Sequence, residues 1–288
     1  MSSMVIKLRK YYILFALLLI LSLLFSPKEK SIEAVGSQSV ELPVIMYHQI
    51  SRKNSNTGKY IISREQLVSD LEYIKKMGYT TVTVKDLINY VNGKGSLPEK
   101  PVMLTFDDGH ETAYTILYPL LKEMGMCAVV SVIGYLADLY TEIDDHNDTY
   151  SYLTWDEIKE LSDTPEIEIQ NHSFNMHSVE KGGRRGIAPM KGESRESYFN
   201  AVNADVGKMQ LELMKKGEVK ATAMVYPYGS HTELTLEVCK DLGFLCTMTC
   251  EERINTVTKY NTASLYNLGR YNRSGEMTAR EFFADILN

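Results

Sequence analysis

The stretch Pro101-Val102-Met103-Leu104-Thr105-Phe106-Asp107-Asp108-Gly109-His110 decides how the chain reads. Val102 to Phe106 is apolar except for Thr105, too short for a helix and rich in strand formers, so it reads as a buried strand. Two adjacent carboxylates and a glycine close it, residues unsuited to a strand interior and suited to its exposed end. Neighbouring carboxylates repel, so one pKa rises unless a cation or strong donors intervene. A metal held by one carboxylate keeps it ionised and leaves the other free as a base. Alone, Asp-Asp-Gly is also a common surface turn, so the rest of the chain has to decide.

Working outward, strands alternate with helices. Pro43-Val44-Ile45-Met46-Tyr47-His48 is a short strand ending in a histidine. Ser63-Arg64-Glu65-Gln66 is a capping box, opening a helix with Leu67, Leu71, Ile74 and Met77 on one face and Gly78 as its stop. A strand at Thr80 to Val84 and a short helix at Asp86 to Val91 precede the Asp107 strand. Beyond it, Tyr114, Leu117, Leu120 and Leu121 mark a helix ending at Gly125, and Cys127 to Ile133 is a strand. A helix capped by Thr154 (Trp155 to Leu161), the strand Glu166 to Asn171 and a long helix between Ser194 and Lys216 follow. Then come the strand Ala221 to Tyr226, a helix from Thr232 to Leu242 and the strand Phe244 to Thr249. Leu265 to Arg270 is expected as the last strand, and Thr278 caps a final helix to Leu287. Strands apolar on both faces mean an α/β fold whose parallel sheet is covered by helices, open or closed into a barrel. No dinucleotide glycine fingerprint and no phosphate loop follow any strand.

The 288 residues suffice for one large core, and the net charge of -6 argues against a nucleic-acid partner, which needs a clustered basic face. The compact basic cluster Lys181 to Arg185 sits among glycines and reads as a solvated loop. At the N-terminus, Lys7, Arg9 and Lys10 precede Tyr11 to Phe25, a run without charge. Positive flank before apolar run is the secretory pattern, here without a clear cleavage site. Residues 1–26 are therefore read as a signal anchor or signal peptide, 27–42 as a linker and 43–288 as the folded domain. The domain is expected outside the cytoplasm, at the cell membrane or secreted if the signal is cleaved. The four cysteines, Cys127, Cys239, Cys246 and Cys250, lack zinc spacing and are expected as free thiols, although an exported protein would permit a disulfide of Cys239 with Cys246 or Cys250.

In parallel β/α folds, functional residues gather where strands end. Four strand ends carry unusual chemistry: His48, Asp107-Asp108, Asn171-His172 and Tyr226-Pro227-Tyr228-Gly229. His172 and His177 are five apart, about 140° around a helix and too far to share a ligand there, but able to converge on a strand-to-loop turn. Two histidines and one aspartate leave a position open, as a hydrolytic zinc site requires.

Thr105-Phe106-Asp107-Asp108-Gly109, His172-Ser173 with His177, and Tyr226-Pro227-Tyr228-Gly229 resemble, in order and spacing, the motifs of the polysaccharide deacetylase family. These are the NodB-homology enzymes of carbohydrate esterase family 4, and the likeness covers Pro43 to the C-terminus. The resemblance implies a distorted (β/α) barrel and metal-dependent removal of acetyl groups from a cell-wall or extracellular polysaccharide. It implies Asp108, His172 and His177 as ligands of a divalent metal, usually zinc, and Asp107 as general base. It also implies that the Tyr228 backbone N–H helps to stabilise the oxyanion; Tyr228, Gly229 and His231 are read as the substrate-binding residues. The five-residue histidine spacing resembles the branch that includes poly-N-acetylglucosamine deacetylases.

Three positions depart from the family pattern. Met176 stands where the second histidine is commonest, Val225 where an arginine usually steadies the base, and the late leucine-x-histidine that supplies the general acid is missing. Arg270, near the end of the expected last strand, is read as the replacement for the motif arginine. His48 is read as the general acid, with His231 second; His110 is assigned to a helix start and His146 to a solvated acidic loop. Tyr152, Trp155 and Tyr271 are either sugar-stacking or core. The rival reading is a catalytically silent carbohydrate-binding module on the same fold, which the retained ligand set and base speak against.

Overall fold

In the computed structural model, which describes residues 38–178 and 184–287, the strand read at residues 101–106 lies inside a parallel sheet. In chain order the strands are β1 (Ser39–Leu42), β2 (Val44–Tyr47), β3 (Gln49–Ser51), β4 (Ile61–Ser63), β5 (Thr80–Thr81) and β6 (Pro101–Phe106). They continue as β7 (Ala128–Val132), β8 (Ile167–Asn171), β9 (Ala223–Val225), β10 (Cys246–Met248), β11 (Asn255–Thr258) and β12 (Tyr271–Asn272). The main sheet runs β10-β9-β8-β7-β6-β2-β12 with every pair parallel, and β5 flanks the start of β6. Between its two edges runs the segment 268–272, where Leu268 bridges Met248 of β10 and Tyr271 pairs with Ile45 of β2. The sheet is thereby curled like a barrel, in keeping with the expected α/β class.

The helices are α1 (Arg64–Lys76), α2 (Val84–Val91), α3 (Tyr118–Met124), α4 (Gly134–Ile143), α5 (Trp155–Ser162), α6 (Arg195–Lys216), α7 (Glu233–Asp241) and α8 (Ala279–Phe283). Ser63, Thr83, Thr154, Thr232 and Thr278 each close a capping box, satisfying helix-start N–H groups that would otherwise be orphaned. Strand residues alternate between two cores. Ile45, Val102, Leu104 and Val130 join the core under α1, α3 and α5, while Val44, Met103, Val129, Val225 and Met248 join the core closed by α2, β1 and β11. Burial on both sides is why β2, β6 and β7 read as continuous apolar runs. Opposite the Asp107 strand, Arg273 is locked in a buried pair with Asp70, at 2.8 and 2.9 Å, which Tyr47 joins at 3.1 Å.

Several expectations need correction. The last strand is not Leu265–Arg270: a 3-10 turn occupies Thr262–Leu265, Leu268 makes one bridge, and pairing resumes at Tyr271–Asn272. Asn267 breaks the run, with φ of +56° and a side-chain oxygen accepting from Tyr226 and Thr247. Within the stretch read as a linker, Ser39–Leu42 pairs antiparallel with Asn255–Thr258, Val40 and Leu42 facing inward. Helix α4 was not anticipated, because Gly134 opens it without a side-chain cap. The helix read from Tyr114 begins with a single π turn at Ala113–Leu117. All four cysteines are free thiols. The N-terminal anchor or signal lies outside the described residues, among which no helix is long and apolar enough to cross a membrane.

Candidate active site

The alternation that sends Met103 and Thr105 to one face of β6 carries Asp107 to that face at the strand's C-terminal end. Asp107 is buried and gripped by Arg270, Nη1 donating to Oδ1 at 2.8 Å and Nη2 to Oδ2 at 2.9 Å. Ser131 Oγ donates to Oδ1 at 2.9 Å. Arg270 is fully buried and spends its other donors on Thr249 O at 3.0 Å and Thr105 Oγ1 at 3.1 Å. Burial pushes the Asp107 carboxyl up, but the Arg270 charge, with His172, brings it down to about 2. A fork-on-carboxylate pair of this kind fixes orientation as well as charge.

The chain then turns sharply. Asp108 at φ +72° and Gly109 at φ +73° are both left-handed, and a Cβ on Gly109 would lie 2.8 Å from the Val132 side chain. Ser173 (φ +74°), after His172, and Tyr228 (φ +59°) are left-handed in the same way, so three of the strained non-glycine residues stand at this rim. The turn aims Asp108 Oδ1 at two rings: His172 Nε2 lies 3.4 Å away and His177 Nε2 3.3 Å. His172 Nδ1 sits 2.8 Å from the Val225 carbonyl, an acceptor only, so Nδ1 carries the proton and Nε2 presents its lone pair when the ring is neutral. The Asp108 carboxyl is pushed up by burial but held well below its ordinary value by His172 and His177. Burial lowers His172 while Asp108 and Asp107 raise it, with a net rise; His177 is lowered by burial and by His172.

These residues fit a divalent ion. The three donor atoms lie within 4.8 Å of one another. Two ligands at about 2.0–2.1 Å from a tetrahedral ion stand roughly 3.3 Å apart, close to the spacing here. Asp108 Oδ1 is buried with no hydrogen-bond partner, an oxygen that a bound cation would satisfy.

The trio opens into a cavity of about 690 Å³. His48, at the end of β2, lines it with Nδ1 unpartnered, its pKa lowered by burial, against which Asp107 and Asp108 pull upward. Tyr228 lines it too, its ring 4.5 Å from that of His177.

Not every expected residue is there. His231 is turned onto the Gly229 carbonyl at 3.0 Å and stacked on Tyr226, outside the cavity lining. Gly229 is likewise not in the lining; its place is the turn, where a Cβ would lie 2.6 Å from the Cys250 backbone nitrogen. His110, assigned to a helix start, lines the cavity instead, stacked on Tyr152 at 4.6 Å, its pKa lowered by burial to about 4. Arg184 is no solvated residue: it is buried and paired with Glu193 at 2.5 Å. Arg185 lines the cavity, 5.2 Å from the Tyr228 ring. Trp155 is core, donating to Asp138 at 2.9 Å. Tyr271 packs against the core, and Tyr152 faces the cavity.

A curled parallel sheet with an Asp-Asp-Gly strand end and two converging histidines at one rim defines a NodB-type domain. The chain belongs to the polysaccharide deacetylase family, whose model matches residues 94–247. The chain is 24% identical over 260 residues to the poly-beta-1,6-N-acetyl-D-glucosamine N-deacetylase of Escherichia coli K12, covering 84% of this chain and 38% of that protein. It is 27% identical over 198 residues to the enzyme of the same description from Staphylococcus aureus MRSA252, covering 68% of this chain and 63% of that one. The chain thus spans well under half the length of the Escherichia coli relative. The solved structure of a de-N-acetylase from Aggregatibacter actinomycetemcomitans superposes with a TM-score of 0.71 at 24% identity, over 84% of this chain and 99% of that one. IcaB from Ammonifex degensii gives 0.68 at 22% identity, over 82% and 93%. At those identities the likeness is one of fold.

Proposed function

We propose that the domain is a metal-dependent hydrolase that removes N-acetyl groups from a β-1,6-linked N-acetylglucosamine polymer. The observation that carries this reading is the Arg270-clamped Asp107 beside the Asp108, His172 and His177 trio, at a cavity of about 690 Å³. Asp108, His172 and His177 would hold the ion, zinc by its donor set. When bound, the ion supplies positive charge that polarises the acetyl carbonyl and makes water easier to deprotonate. Asp107, not a member of the trio, receives the proton. The Arg270 clamp keeps it ionised, and so able to accept that proton. An amine anion is too poor a leaving group, so a proton must reach the departing nitrogen; His48 is the residue assigned to deliver it. Tyr228, in the cavity lining, is assigned to stabilise the developing oxyanion through its backbone N–H. A substrate outside the cytoplasm suits the export segment read at residues 1–26, ahead of a domain running to residue 288.

The reading predicts acetate release from β-1,6-linked N-acetylglucosamine oligomers, abolished by chelation and restored by zinc. Oligomer binding without any acetate release would mark a silent sugar-binding module instead. A second expectation concerns His48. His48→Ala should slow amide hydrolysis by about 10²–10⁴-fold and hydrolysis of an activated aryl acetate far less, since aryloxide leaves unprotonated. Equal losses on both substrates would reduce His48 to a structural residue, and a selective loss in His110→Ala would move the assignment to that ring.

A further inference from the structure

On the far side of His110 lies a second convergence of ligand-type side chains. Glu111, His146 and Glu157 bring one donor atom each within 4.8 Å of the others. His146 Nδ1 is 3.2 Å from Glu111 Oε1 and 3.2 Å from Glu157 Oε1. Those separations are close to the roughly 3.3 Å edge of a tetrahedral site with N and O ligands. The geometry around each donor is fixed from behind. Glu157 Oε2 is occupied as the α5 capping-box acceptor, bound by Thr154 N and Oγ1 at 2.8 Å, which leaves Oε1 for the cluster. His146 Nε2 is 3.2 Å from Asp144 Oδ1, so a ring with its proton there turns the Nδ1 lone pair inward. A carboxylate behind the outer nitrogen is what orients metal-binding histidines.

Two observations argue for a cation at this cluster. Glu111 is 1% exposed, yet its Oε2 has no hydrogen-bond partner. Among the described residues no lysine or arginine pairs with Glu111 or Glu157, so two carboxylates face each other with only a partly exposed imidazole between them. Burying carboxylates without a full counter-charge is costly, and a divalent ion would neutralise both.

We propose that Glu111, His146 and Glu157 form a second divalent-cation site, of the zinc or manganese class, that fastens the 144–153 loop against the cavity wall. The backbone supports that role. Glu111 N donates to Ser151 O at 2.9 Å, and His110 bridges Tyr152, so an ion here would fix the loop whose Tyr152 faces the cavity. The site shares no ligand with the Asp108 trio and does not depend on the deacetylase reading.

The test uses the purified full chain with the His172→Ala and His177→Ala substitutions, which remove the other candidate site. After loading with Zn²⁺ or Mn²⁺ and removal of excess by gel filtration, this variant should retain about one ion per chain and melt higher than its metal-free form. Adding His146→Ala, at a half-exposed position, or Glu111→Gln should each remove that ion and abolish the melting shift. No retained ion in the parent variant would overturn the proposal. So would retention unchanged by both additional substitutions.

Discussion

Asp107→Asn is expected to lower acetate release by about 10²–10⁴-fold while leaving bound metal at the wild-type level. An amide keeps the shape of the carboxylate but cannot accept the proton, and Asp107 does not belong to the Asp108, His172 and His177 cluster. The substitution also strips Arg270 of its buried partner, at a cost to stability of about 3–5 kcal/mol. A melting curve must therefore accompany the rate, so that lost activity is read from folded protein. The clamp predicts the pH dependence as well. With the Asp107 carboxyl held at about 2, the reactive ionised form persists through mildly acid pH and is lost only as pH falls through that value. Arg270→Met removes the largest force lowering it while burial goes on raising it, so the acid limb should move to higher pH. An acid limb in the same place for Arg270→Met and wild type would mean that Asp107 does not control it, and near-wild-type turnover in folded Asp107→Asn would remove it as the base.

How far the sequence could be read depended on what each signal was made of. Strands buried on both faces, such as β6 and β7, carry their own evidence as apolar runs, and capping boxes at Ser63, Thr154 and Thr278 mark helix starts within a few residues. The Asp108, His172 and His177 cluster was legible because strand ends in a parallel sheet share one rim. Arg270 was legible for a further reason: curling the sheet brings the end of the chain back to β2, and the 268–272 segment does bridge both edges. What escaped depends on loops. His231 lies two residues past the Tyr-Pro-Tyr-Gly motif, yet its ring folds back on Gly229 O and Tyr226. His110 sits two residues past Asp108, but only the consecutive left-handed turns at Asp108 and Gly109 send it to the cavity, where Tyr152 meets it. Two positive φ values in a row at Asp-Gly could have been suspected from composition; the loop partner 42 residues on could not. His146 looked solvated because its neighbours are acidic, whereas Glu111, from the turn after β6, and Glu157, from α5, both face it.

His172→Ala should lose both the ion held by the Asp108 trio and deacetylase activity, and His177→Ala should weaken both. The two histidines are not equivalent. His172 is buried and its Nδ1–H is anchored on the Val225 carbonyl, so its Nε2 is preorganised; His177 is partly exposed and held mainly by contact with Tyr228. The position where the family pattern has an arginine thus serves here through its backbone, while Arg270 supplies the guanidinium that holds Asp107. Because His172 is pushed above the ordinary imidazole value in the absence of an ion, a proton competes for its Nε2. Metal affinity should accordingly fall on acidification, and less steeply in His172→Ala for whatever ion remains. Asp108→Asn tests the same cluster from the other side: removal of its charge should weaken metal binding while leaving the Arg270–Asp107 pair in place. Calorimetric titration of zinc into the metal-free chain at several pH values measures all three variants. Undiminished zinc affinity in both His172→Ala and Asp108→Asn would dissolve the cluster as a metal site and leave Asp107 without an activated water to work on.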